Sequence, residues 1–227
     1  MVNIFINGPM GSGKTTIAKH LEFKGYRRVS IAAPLKELER QLREDSFQVA
    51  LNTLHRLCYS VVYAEAKRNN KKTTSLTDAV EALYKKASVI LKRADSLPIV
   101  DSEKQVGRMQ VLGYDMRSEV NPDFWLNLFY LRILACDVMM VCDDVRYLNE
   151  AQLLSAMGWH GLLLDVSEVA QIKRLKDLKL PHSPKVLHNE GEQECRIIRE
   201  AGLGTVVNAD LECQAMLRDV DVILELF

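Results

Sequence analysis

The chain has 227 residues, 48% apolar, 26% charged and 7% aromatic, which at roughly 150 residues per domain makes one large domain or one domain carrying an insertion. At this size a chain buries on the order of 70–75% of its unfolded surface, so neither disulfides nor a structural metal are needed to fold it. Thirty Lys and Arg offset thirty Asp and Glu, which removes the electrostatic reason to expect nucleic acid or anionic lipid as a partner.

The first β-rich run is Val2 to Ile6. It leads into Gly8-Pro9-Met10-Gly11-Ser12-Gly13-Lys14-Thr15, which fits G-x-x-x-x-G-K-[ST] without a mismatch and precedes an amphipathic segment from Thr16 to Phe23. In such a loop successive backbone N–H groups and a helix N-terminus point at one anion, the Lys bridges β- and γ-phosphates, and the Thr hydroxyl reaches Mg²⁺. Gly8, Gly11, Ser12, Gly13, Lys14, Thr15 and Thr16 are therefore expected to cradle ATP, with Lys14 acting on the transferred phosphate and Thr15 on the metal.

The second strand is expected at Arg28 to Ile31, and about a hundred residues of mostly helical pattern separate it from the third, whereas a crossover needs only a dozen or more. Something is inserted there. Apolar positions at Leu76, Val80, Leu83, Ala87 and Ile90 or Leu91 have helical spacing, and a further helix is expected at Glu103 to Leu112. Ser75 with Asp78 and Ser102 with Gln105 look like capping boxes. Asn121-Pro122 places a cap and a first-turn proline before Phe124 and Trp125, while Gly113 and Gly158 stand where glycines terminate helices.

The third strand, Val138 to Cys142, ends in Asp143-Asp144-Val145-Arg146, with Glu150 further along the next helix. Acids at the carboxyl end of a strand in a doubly wound sheet lie beside the ligand crevice. Asp144 is the preferred Mg²⁺ ligand and Asp143 the second choice; Arg146 either stabilises a transferring phosphoryl group or pairs with Glu150 along the helix. Strands at Gly161 to Val166 and Thr205 to Val207 complete an α/β alternation of parallel strands with helices on both faces. Between them, Lys173, Arg174, Lys176, Lys179 and Lys185 form a basic stretch, followed by Glu190, Glu192 and Glu194; a solvated face and a functional segment remain equally open readings.

Cys58, Cys136, Cys142, Cys195 and Cys213 are scattered, with no C-x-x-C pair, and read as reduced, buried thiols of a cytoplasmic protein. The opening MVNIFING lacks the basic region of a signal peptide, and no apolar run approaches a membrane span. A Ras-type GTPase would need Asn-Lys-x-Asp, which Asn70-Lys71-Lys72-Thr73 is not; a motor ATPase would follow its strand-end Asp with Glu, and Val145 follows Asp144.

Taken in order, Gly8 to Thr15, Ala33-Pro34-Leu35-Lys36, Met109-Gln110-Val111-Leu112-Gly113 with Arg117 and Phe124-Trp125, Asp144-Val145-Arg146 with Glu150 and Gly158, and Glu200-Ala201-Gly202-Leu203 with Val206-Val207-Asn208 resemble the deoxynucleoside monophosphate kinases of tailed bacteriophages over nearly the whole chain. The resemblance implies a P-loop kinase fold with sheet order 2-3-1-4-5 and transfer of the γ-phosphate of ATP to a deoxynucleoside monophosphate. It further implies a single domain over 1–227, with a helical acceptor-side insertion over about 36–115 and a lid over about 168–195. By the same resemblance Lys36 lies near the acceptor, Gln110 reads the base, Gly113, Tyr114 and Trp125 line the nucleoside pocket, and Asp144, Arg146 and Glu150 surround phosphates and sugar. Where the family commonly carries an Arg this chain has Val106, so acceptor-phosphate binding is expected to shift to Arg108 or Arg117. Arg174 is the expected lid residue, since a guanidinium forks onto phosphate. The expected location is the host cytoplasm if the chain is phage-encoded, and a homodimer is the expected assembly. A phosphomevalonate- or dephospho-coenzyme A-type kinase and a non-catalytic nucleotide-binding regulator are the competing readings.

Overall fold

Five short strands, β1 (Ile4–Asn7), β2 (Arg27–Val29), β3 (Met140–Cys142), β4 (His160–Asp165) and β5 (Thr205–Asn208), pair in parallel in the order β2-β3-β1-β4-β5. This is the sheet of the P-loop kinase fold. The computed structural model describes residues 2–71, 76–99, 106–180, 182–183, 187 and 190–227. All five strands fall where the apolar runs place them, with ends shifted by at most two residues. Register is set by pairs such as Ile4 with Val141 and His160, Arg28 with Val141, and Leu163 with Val206.

The chain divides into two compact units, Met1–Ser30 with Val138–Phe227, and Ile31–Asp137. In the first, α1 (Lys14–Phe23) buries Ile17, Ala18 and Leu21, and α10 (Cys213–Leu224) buries Met216 and Val220, against one sheet face made by Ile4, Ile6, Val141, Leu162, Leu164 and Val207. Because strand side chains alternate, Phe5 and Leu163 point to the other face, on the side of α7 (Leu148–Ala156) and α9 (Glu190–Glu200), which both pack on β4. A further helix, α8 (Glu168–Asp177), starts at Ser167, whose hydroxyl accepts from the N–H of Ala170.

The second unit is helical: α2 (Ala33–Glu44), α3 (Phe47–Arg68), α4 (Thr77–Asp95), α5 (Val106–Gln110), a π-helix (Val111–Val120) and α6 (Phe124–Leu134). It extends past both ends of the expected 36–115 segment, since α6 packs on α3. Ala50, Leu54, Cys58 and Val61 form the buried stripe of α3, and Val80, Ala87, Ile90, Leu91 and Ala94 that of α4, so the helical spacing read for α4 is the packed face.

Several expected ends differ. Gly113 does not terminate a helix: it lies inside the π-helix that continues α5, where a Cβ would stand 3.2 Å from Leu35 Cδ1, so its smallness serves packing. Asn121 is not the cap of α6; its carboxamide accepts from the N–H of Asp123 at 2.8 Å, a local turn that delays the helix to Phe124. Gly158 does follow α7, at φ 81°. The capping residues proposed at Ser75, Ser102 and Gln105 lie outside the described residues. Nor are all thiols buried: Cys58 and Cys142 are, Cys136 and Cys195 are partly so, and Cys213 is exposed. Among the described residues no helix is long and apolar enough to cross a membrane.

Candidate active site

The glycine-rich loop leaves the end of β1 at Asn7, whose buried amide donates to the carbonyl of Val145 at 2.9 Å. At Gly8 the backbone passes so close to β4 that a Cβ would lie 2.7 Å from Leu164 Cβ and 2.9 Å from Ser12 Oγ; only glycine fits. At the far end Gly13, with φ 102°, turns the chain into α1, and no side chain caps that helix. Its first N–H groups and the positive end of its dipole are therefore offered to an anion. The Ser12 hydroxyl, fully buried, also has no partner among the described residues. Thr16, in the first turn, is exposed. This is the local structure a phosphate group fits.

Lys14 folds back over the loop and donates from Nζ to the carbonyls of Gly8 at 2.5 Å and Pro9 at 2.7 Å. Burial pulls its pKa below the ordinary lysine value; the nearby Cys195, Glu192 and Asp143 oppose that, while the charge of Arg146 adds to it. Lys14 and Arg146 are thus electrostatic neighbours, and the Arg146 side chain is exposed.

The two adjacent acids behave differently. Asp143 is buried and accepts the Thr15 hydroxyl at Oδ2, 3.3 Å away, while Arg28 forks onto it from β2. Asp144 accepts from the hydroxyl of Ser30 at 2.6 Å and the thiol of Cys142 at 3.2 Å. Of the two, both just beyond the end of β3, Asp143 is the one whose carboxylate meets the Thr15 hydroxyl. A hydroxyl and a carboxylate side by side suit a hard cation that keeps waters and phosphate oxygens in most of its shell, as Mg²⁺ does. Among the described residues no group of three or more His, Cys, Asp or Glu side chains is arranged to hold a metal, and an ion of this kind requires none.

Glu150, expected near phosphates and sugar, is instead buried as a cap: Oε2 accepts from the N–H of Arg146 at 2.8 Å and of Tyr147 at 3.1 Å, closing a capping box on α7. Its hydrogen bond to Arg146 goes to the backbone.

The acidic run on α9 does not simply face water. Glu192 accepts from the N–H of Met10 in the phosphate loop, at 2.9 Å and 3.2 Å from its two oxygens, and Glu194 accepts from the N–H of Leu148 at 2.8 Å. Gln171 of α8, itself buried, donates to the carbonyl of Met10 and to Glu192, both at 3.0 Å. Cys195 accepts from Asn7 and donates to the carbonyl of Gly191, and burial pushes its thiol pKa up. None of Arg28, Gln171, Glu192 and Cys195 was a sequence candidate for the site; the spacing of Glu192 and Glu194 was visible, without their partners. Arg174 of α8 donates to the carbonyl of Leu211 at 3.3 Å, which attaches it to the segment after β5. Pro181, Pro184 and Lys185 of the expected lid lie outside the described residues.

The acceptor-side candidates all belong to the helical unit. Lys36 is exposed on α2, as are Gln110 at the end of α5 and Tyr114 on the π-helix; Gly113 and Arg117 on the π-helix are partly exposed. Two others hold the unit together instead. The Arg108 guanidinium is buried and donates to the carbonyls of Asp95 and Leu97. Trp125 is buried, donates from Nε1 to the carbonyl of Leu112 at 3.2 Å and meets Phe124 edge to face. Arg108 thereby supplies donors to carbonyls at and just beyond the end of α4, and Trp125 supplies one to the π-helix.

No family model matches the chain, and no curated protein matches it. Among solved structures, a shikimate kinase from Bacteroides thetaiotaomicron aligns with 99% of this chain and 98% of its own, at 14% identity and a TM-score of 0.41.

Proposed function

We propose that the chain is an ATP-dependent small-molecule kinase whose acceptor is a deoxynucleoside monophosphate. The observation that carries the kinase reading is the phosphate loop in its structural setting: Gly8 to Thr15 between β1 and α1, an α1 N-terminus without a side-chain cap, Lys14 over the loop and Thr15 beside the strand-end Asp143. Thr15 and Asp143 are the residues that would hold Mg²⁺, which when bound neutralises phosphate charge.

In this reading the loop N–H groups and Lys14 hold the triphosphate, and Arg146 supplies a guanidinium to the transferring group. The acceptor attacks in line. No phosphoenzyme is needed, since phosphoryl transfer asks chiefly for positioning and charge stabilisation. The choice of acceptor rests on the similarity of the motif series to the phage kinases, and Lys36, Gln110, Gly113, Tyr114 and Arg117, whose side chains or backbone remain accessible, are its candidate contacts. Asp144 and Arg174 are kept as secondary contacts.

The decisive experiment is release of ADP from Mg²⁺-ATP with a panel of deoxynucleoside and nucleoside monophosphates, phosphomevalonate and dephospho-coenzyme A. Turnover with one or more deoxynucleotides supports the proposal. Turnover only with another acceptor retains the kinase and replaces its substrate; nucleotide binding without turnover points to a regulator.

A further inference from the structure

The phosphate loop already has an anion on it, and the chain itself supplies it. Glu192 of α9 lies on the N–H of Met10, 182 positions away in sequence, and its charge is felt at Lys14. A loop N–H and a neighbouring ammonium are the partners a phosphate oxygen would take. Gln171 completes the arrangement by donating to both the Met10 carbonyl and Glu192, so α8 and α9 together hold both backbone polar groups of one loop residue.

We infer that Glu192, braced by Gln171, is a latch that competes with nucleotide phosphate for the Met10 N–H and must release it when a triphosphate binds. The inference rests on the reading of this loop as a nucleoside triphosphate site. A carboxylate and a phosphate oxygen cannot share one N–H, and two anions on one loop repel. Release of Glu192 removes one tie between α9 and the loop, leaving Cys195 on Asn7 and Glu194 on the N–H of Leu148, so occupancy of the loop is felt at α9. The latch lowers affinity for nucleotide and makes that affinity depend on a residue outside the G-x-x-x-x-G-K-T motif.

The test is the dissociation constant of ATP and of ADP, by calorimetry in Mg²⁺-containing buffer, for the wild type, Glu192→Gln and Gln171→Leu, with a thermal melt of each. Glu192→Gln keeps size and an acceptor oxygen but removes the charge, so ATP should bind about tenfold more tightly, a change worth ~1.4 kcal/mol. Gln171→Leu should tighten it in the same direction by a smaller factor. Hydrogen exchange at the Met10 amide supplies a second readout without nucleotide: it should be protected in the wild type and accelerate in Glu192→Ala. Unchanged or weaker ATP binding by Glu192→Gln in a folded variant overturns the latch and leaves Glu192 as a structural brace. Should any variant fail to fold, an unprotected Met10 amide in the wild type overturns it equally. If neither the wild type nor Glu192→Gln binds any nucleotide, the triphosphate reading of the loop falls first and the latch with it; equal binding by both removes the latch alone.

Discussion

Arg28 forks onto Asp143, with Nε 2.8 Å from Oδ1 and Nη2 2.5 Å from Oδ2, while the same carboxylate accepts the Thr15 hydroxyl. The guanidinium thus neutralises the acid proposed to hold Mg²⁺, and the pairing holds the Arg28 charge more firmly than in free arginine. Arg28→Ala should let turnover saturate at a several-fold lower free Mg²⁺ concentration, because one competitor for the carboxylate is gone. It should also cost about 1–2 kcal/mol of stability, discounted because Arg28 is partly solvated. A Mg²⁺ titration of turnover and a urea melt measure the two effects, and an unchanged Mg²⁺ requirement would sink the first.

Lys14→Met separates chemistry from stability through pH. Burial lowers the Lys14 pKa in the folded state, so below that folded value the buried charge opposes folding. Between the folded value and the unfolded one the unfolded chain binds the extra proton, and stability rises with pH. The wild type should therefore gain stability relative to Lys14→Met as pH is raised through that window towards the ordinary lysine range. Turnover of the variant should fall by about a hundredfold or more at every pH, since an interaction aimed at the reacting phosphates is removed. Parallel melts across alkaline pH, with no relative gain by the wild type, would contradict the assignment.

The thiols should react in an order set by burial. Burial raises Cys58 to about 12, and Cys142 is raised well above the usual thiol range by burial and by Asp144, which accepts its S–H. Cys213, exposed at the start of α10, should be alkylated first under native conditions at neutral pH, with Cys58 and Cys142 modified only on unfolding. Peptide mapping after timed labelling with iodoacetamide reads the order directly; early modification of Cys142 would be incompatible with its environment.

Trp125 and Tyr114 should differ in kind. Trp125→Phe removes the indole donor from the buried Leu112 carbonyl, which costs about 1 kcal/mol, with little change in acceptor KM. Tyr114 is exposed on the π-helix, so Tyr114→Ala should raise acceptor KM and leave the melting temperature nearly unchanged. Acceptor kinetics and melts of the two variants decide; a KM effect confined to Trp125→Phe would reverse the assignments.

What was legible in the sequence follows from the range of the interactions involved. Parallel strands buried on both faces leave continuous apolar runs, and each of the five could be read locally; the phosphate loop is a contiguous motif with a strand before it and a helix after it. Arg28 with Asp143, 115 positions apart, and Glu192 with Met10 leave no local signature. Which of the adjacent Asp143 and Asp144 meets Thr15 and which meets Ser30 is set by tertiary placement that composition does not encode. Trp125 and Arg108 read as ligand contacts through the resemblance, Arg108 because Val106 stands where the family carries Arg, and the backbone carbonyls they meet are partners that no motif records. Gly113 looked like a helix end because apolar spacing does not separate an α-helical stop from a passage into a wider helix.

That wider helix has an evolutionary corollary. Its hydrogen bonds run from i to i+5 instead of i to i+4, so the Val111–Val120 segment carries surplus residues for the length it spans. Deletion of a residue there is a change the backbone can absorb by tightening to α, with Leu112 and Met116 still one turn apart. Such a deletion would rotate Tyr114 and Arg117 relative to Leu112 without opening a strand or breaking the phosphate loop. Length variation in this ten-residue window is thus a route by which the surface carrying Tyr114 and Arg117 could be re-aimed while the sheet stays as it is.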